Sequence, residues 1–150
     1  MIQVVGALGA AGLAAYKWLE RYRPTNHGPN PWQPEALFNL LQVVTHIERA
    51  RELVDGKINS AYRSPSINER IGGAKSSRHM QGLAVDLSSP LGHEEAARKL
   101  WSATLRGELG RVHKVIDEPG WVHISWKAPG EKDAQPQLLK MRAGKFERIA

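Results

Sequence analysis

The chain contains no cysteine. That excludes a disulfide framework, a cysteine-ligated zinc ribbon, thiol catalysis and iron–sulfur chemistry, and leaves histidine and carboxylate as the side chains able to hold a transition metal. Aromatic residues are few, at 7% of 150. No uninterrupted apolar run reaches the roughly 20 residues that span a bilayer. Acidic residues are also in short supply, 15 Asp and Glu against 21 Lys and Arg, for a formal charge of +6. Such a balance favours polyanionic surroundings (nucleic acid, anionic lipid or an acidic wall polymer) without choosing among them. The basic residues are scattered rather than clustered with stacking aromatics, so no specific nucleic-acid partner is expected. What remains is 41% apolar and 24% charged residues, the composition of one folded domain of ordinary size, expected to be a monomer.

Residues 1–23 form an apolar, Gly/Ala-rich N-terminal segment, uncharged up to Lys17. It reads as a helix packed on the domain, as a weak membrane anchor through residues 1–19, or as a signal segment. The missing basic n-region and the trailing Lys17, Arg21 and Arg23 oppose export of the C-terminal domain. Residues 24–33 are a proline-rich linker, since proline removes backbone donors and disfavours helix before it. A chain starting near Asn30 is therefore expected to fold and to keep its activity. The domain proper is assigned to residues 34–150. Leu37, Leu40, Leu41, Val44 and Ile47 recur at helical spacing and predict a helix over 34–54, with Pro34 in its first turn and Gly56 as its C-terminal cap. A short strand is predicted over 58–63, and a short helix opened by Ser64-Pro65 and stopped by Gly72-Gly73. A strand over 84–87 and a second long helix over 93–106 come next. Two alternating runs, 112–117 and 121–126, flank Glu118-Pro119-Gly120 as a hairpin, and short closing elements lie near 138–141 and 146–149. The expected fold is α+β, a small antiparallel sheet with flanking helices.

Two of the six histidines stand in telling contexts. His79 lies in a loop rich in Ser and Gly, with Asp86 seven residues on, at or beside a strand. In Trp121-Val122-His123-Ile124-Ser125-Trp126, alternation puts Trp121, His123 and Ser125 on the face opposite Val122, Ile124 and Trp126. Two histidines and one carboxylate leave a zinc position open, the arrangement of a hydrolytic rather than a structural site.

The segment from Ser77 to Asp86, Ser-Arg-His-Met-Gln-Gly-Leu-Ala-Val-Asp, fits the pattern Ser-x-His-x-x-Gly-x-Ala-x-Asp at every fixed position. Upstream stand Tyr62-Arg63-Ser64-Pro65 and Asn68 with Gly72-Gly73-Ala74; downstream stands Trp121-Val122-His123-Ile124-Ser125. Together they resemble the zinc D-Ala-D-Ala carboxypeptidase family, which includes vancomycin-resistance dipeptidases and phage endolysins cutting the L-Ala–D-Glu bond. The resemblance implies a hedgehog/D-Ala-D-Ala-peptidase-like fold, one Zn2+ per chain on His79, Asp86 and His123, and a peptidoglycan peptide as substrate. It also implies that Arg63 contacts the substrate carbonyl or its oxyanion, and that Ser77 contacts substrate or shapes the loop. Gly82 and Ala84 are expected to be small so as not to crowd the site.

Many relatives carry an acidic residue three positions before the last histidine, where this chain has Gly120. Glu118, at the hairpin turn, is the preferred general base, with Asp117 as the other candidate. His113 on the neighbouring strand reads as an ordinary strand histidine, and His46 and His93 as structural. The small chain, with no separate wall-binding module evident within it, is more like a phage or prophage lysis enzyme than a host remodelling enzyme. Such an enzyme would be held in the host cytoplasm or with the virion before acting in the periplasm or wall. The departure at the base and the positive charge leave two other expectations: a zinc-retaining but inactive wall-binding module, or a virion structural protein.

Overall fold

A computed structural model describes residues 17–24 and 26–150. After a single 3-10 turn, Glu20–Tyr22, come α1 (Pro34–Leu53), β1 (Lys57–Ser60), α2 (Pro65–Arg70), β2 (Ala84–Ser88), α3 (His93–Leu105), β3 (Val112–Glu118), β4 (Trp121–Trp126), β5 (Gln137–Arg142) and β6 (Lys145–Arg148). The architecture is α+β, as the alternation of helical and strand periodicities predicts. Of the segment 1–23 on which the anchor, signal and packed-helix readings fall, residues 1–16 lie outside the described residues. Among the described residues no helix is long and apolar enough to cross a membrane.

The sheet has six strands in the order β1-β2-β4-β3-β5-β6. Four of its five pairings are antiparallel, but β5 runs parallel to β3, so the sheet is mixed rather than purely antiparallel. The cause is a skipped neighbour. The chain leaves β4 beside the start of β3, where Val112 pairs with Trp126, and passes to the far side of β3 before Gln137 pairs with Lys114. Two consecutive strands that run in opposite directions then flank β3, and only one of them can oppose it.

One sheet face carries Val85, Leu87, Val115, Val122, Ile124 and Trp126 into the core. There they meet Leu40, Ile47 and Ala50 of α1 and Ala96, Leu100 and Ala103 of α3. The α1 stripe differs from the predicted one by part of a turn. Leu40, Val44 and Ile47 are buried as predicted, joined by Ala36, Val43 and Ala50, whereas Leu41 is half exposed. The C-terminal end of α1 also differs. Asp55 takes the left-handed conformation (φ 48°) and the Gly56 N–H donates to the Arg51 carbonyl at 2.8 Å. The reversal therefore falls on a short polar residue that tolerates it, one position before the glycine. At α2, the Ser64 hydroxyl accepts from the Ile67 N–H and Pro65 fills the first helical position, where its missing donor costs nothing.

Packing begins well ahead of Pro34. Tyr22 is fully buried in the core, and its hydroxyl donates to Glu48. The Arg23 guanidinium donates to the Asn30 carbonyl at 2.9 Å. Asn30, itself buried, donates to the Tyr62 carbonyl at 2.8 Å and accepts from the Ser64 N–H at 2.7 Å. Trp32 stacks on Tyr62 with ring centroids 4.6 Å apart. The irregular proline-rich stretch is thus held against the segment that carries Arg63.

A candidate metal centre in an open cleft

The sheet face opposite the core presents the site. Antiparallel register places Asp86 of β2 directly across from His123 of β4. Since directly opposed residues point to the same side of a sheet, their side chains meet: Asp86 Oδ1 lies 2.8 Å from His123 Nδ1. His79 comes from the loop before β2, and its Nε2 is 3.3 Å from Asp86 Oδ2. The two imidazole centroids are 5.2 Å apart. One donor atom from each of His79, Asp86 and His123 falls within 4.8 Å of the others. These three sequence-predicted ligands are therefore brought together.

The loop that delivers His79 is fixed by several contacts. His79 Nδ1 is 2.6 Å from the Ala61 carbonyl, so that nitrogen is its donor and Nε2 is left as a lone-pair ligand. The His79 N–H donates to Ser77 Oγ at 3.2 Å, and the Arg63 N–H donates to the His79 carbonyl at 3.1 Å. Arg78, between them, makes paired hydrogen bonds of 2.7 Å to both Glu131 oxygens and donates to the Trp126 carbonyl at 2.9 Å. That bonding with the Arg78 guanidinium holds the pKa of the Glu131 carboxyl down at about 2. Gly82 sits at φ 72°, and a Cβ there would fall 2.1 Å from the Ala36 carbonyl oxygen. Its smallness is therefore set by the approach of α1 and by backbone conformation, not by crowding of the site as expected.

Burial opposes ionisation of Asp86, but hydrogen bonds from His123 and His79 outweigh it and hold its carboxyl well below the usual carboxylate range. An ionised carboxylate beside two imidazoles, one with its tautomer fixed, is a donor set that suits a divalent zinc ion with an open position.

The triad lies in a cleft of about 710 Å³ that Arg63, Ser77, His113, Lys114, Glu118, Trp121, Met141 and Phe146 also line. Glu118 is half-buried on the same face. Burial raises its pKa above the ordinary value, with His123 pulling it down and Asp86 pushing it up. Arg63 reaches the cleft with Nη2 3.5 Å from Ser77 Oγ, while its Nε is buried with no hydrogen-bond partner. Burial lowers its pKa, and the negative charges of Asp86 and Glu118 raise it.

Asp117 is directed elsewhere. It is buried on the helix-facing side, hydrogen-bonded to His93 Nδ1 at 2.5 Å, with Lys140 Nζ at 3.5 Å. The pairing of β3 with β4 shifts register between Val112 and Lys114. This irregularity places His113 and Lys114 both on the cleft and breaks the alternation that would put His113 and Asp117 on one face. Lys114 itself keeps the alternation, sharing the cleft face with Ile116 and Glu118; it is His113 that the irregularity turns to that side. Met141 and Phe146 escape sequence reasoning because their strands give no signal of which partner they join.

The α+β fold thus carries a His–Asp–His cluster with the geometry of a candidate metal site in an open cleft. Residues 20–125 match the family model described as Peptidase M15, and the chain belongs to this family, that of the zinc D-Ala-D-Ala carboxypeptidases. No curated protein matches the chain.

Proposed function

We propose that this protein is a zinc-dependent peptidase that hydrolyses peptide bonds of peptidoglycan stem peptides, at D-Ala-D-Ala or at L-Ala–D-Glu. The observation that carries the reading is the convergence of the His79, Asp86 and His123 donor atoms in one cleft with Glu118 and Arg63. Zinc held by the three ligands would polarise the scissile carbonyl and make water a nucleophile near neutral pH. The Glu118 carboxylate takes a proton from the attacking water and passes it to the leaving amine as the C–N bond breaks. Its partial burial, which raises its affinity for that proton, suits both halves of the transfer. The Arg63 guanidinium, with an unpartnered Nε, offers fixed positive charge to the oxyanion that forms on the carbonyl. The loop contacts of Ser77 and Ala61 hold Arg63 and His79 in place.

The test is metal analysis of the purified protein together with mass spectrometry of fragments released from purified peptidoglycan. About one zinc per chain is expected, with stem-peptide cleavage that stops on chelation and returns with zinc. His79→Ala and His123→Ala should lose metal and turnover together. Activity that survives exhaustive chelation rejects the zinc assignment. Bound zinc without turnover on any stem peptide replaces the enzyme with an inactive binding module. The fragment masses identify the bond.

A further inference from the structure

The cleft face of the sheet continues past the strands that carry the triad. Glu118 pairs with Trp121 across β3–β4, and Met141 with Phe146 across β5–β6. The parallel β3–β5 register runs through Asp117 and Lys140, which carries Glu118 toward Met141 one residue on. Trp121, Glu118, Met141 and Phe146 thus form a row across four strands, and all four line the cleft. Lys114 faces the same cleft from the position paired with Ser125.

Two features of this region point to a ligand. Phe146 is 56% exposed at the cleft, an aromatic surface left to water unless something covers it. Lys114 is only partly exposed, yet among the described residues no carboxylate pairs with it. The neighbouring cation Arg78 is committed to Glu131. His113 is neutral at pH 7, because burial first and then the charges of Arg78 and Lys114 lower its pKa to about 4. Among the described residues, Lys114 therefore brings an uncommitted positive charge to this part of the cleft. Met141 and Phe146 also lie outside the residues that match the family model.

We propose that Lys114, Met141 and Phe146 form the wall of the cleft that selects substrate. Lys114 pairs with a free carboxylate of the bound peptide, and Met141 and Phe146 cover the peptide's apolar side. The proposal rests on the peptidase reading, because it takes the ligand to be the acidic peptide whose bond is cut beside Glu118. A half-buried charge pair of this kind is worth about 1.4 kcal/mol, or tenfold in affinity.

The experiment compares two stem peptides that differ only in one carboxylate, free in the first and amidated in the second. Binding to the zinc-loaded protein is read by calorimetry, KM and kcat are measured alongside, and zinc content is checked in every variant. The unaltered chain should bind the free acid about tenfold more tightly than the amide. Lys114→Gln should bring that ratio close to one with zinc retained, and Lys114→Arg should restore it. Phe146→Ala should weaken both peptides several-fold and leave the ratio in place. A ratio unchanged by Lys114→Gln, or binding indifferent to Phe146→Ala, overturns the wall. Selective binding without turnover by the unaltered chain overturns the peptidase reading and leaves the wall standing.

Discussion

Glu118 and Asp117 are adjacent carboxylates with opposite fates. One points into the cleft and the other into contact with α3, because neighbouring strand residues face opposite sides. Glu118→Gln is expected to retain zinc and the fold while losing roughly 100-fold or more in turnover, the usual scale for a general base. Metal analysis and steady-state kinetics on one preparation check this; a variant with near-normal turnover removes Glu118 from the role. His113 supplies a pH test. Its folded pKa of about 4 lies below the value of about 6.5 that an unfolded histidine has. Between these values the unfolded chain binds more protons. The contribution of neutral His113 is therefore complete above about pH 6.5 and is lost as the pH falls toward 4. Urea midpoints measured across that window should fall less steeply for His113→Gln than for the unaltered chain. The three candidate ligands and Glu118 were legible in the sequence because a dense motif and a two-residue period fix which face each occupies. The cleft position of His113 was not, since a single irregularity in β3 turns its face without leaving a mark in composition.

At the level of elements, helices and strands were legible wherever apolar periodicity ran for a turn or more, and their predicted ends mostly fall within a few residues of those observed. Pairing was less so. Sequence alternation reports which side of a strand is buried but says nothing of which strand lies beside it, so the parallel union of β3 and β5 was invisible. Caps were half legible: Ser64-Pro65 opens α2 as predicted, but Asp55 makes the turn that Gly56 was expected to make. The cluster on the core face of β3 shows how α3 and β5 are held to it. Asp117 joins His93 at the start of α3 to Lys140 of β5, and Lys140 in turn joins Glu94. Asp117→Asn should lower stability by about 1–3 kcal/mol, as expected when a buried hydrogen-bonded charge is removed. Zinc content and kcat should stay near those of the unaltered chain. Thermal unfolding beside kinetics separates the two effects, and a collapse of kcat at unchanged stability assigns Asp117 a catalytic task.

Across the whole molecule, the N-terminal residues that composition marks as linker and appendage take part in the packing from Tyr22 onward. Tyr22→Ala removes a fully buried aromatic ring and should cost about 3 kcal/mol or more. A chain cut at Asn30 loses Tyr22 as well as the Arg23 contact, and should melt well below one that begins at Lys17. Equal melting temperatures would return residues 17–29 to the role of a dispensable leader. The register of β2 against β4 has a consequence for how the chain reaches this structure. Asp86 and His123 meet because they are directly opposed, and a slip by one residue would turn one of them to the core face. A metal ion can then bridge the two strands only when they are correctly aligned. Zinc held there would act as a proofreader of strand alignment, withholding its binding energy from every misthreaded chain and granting it to the native one.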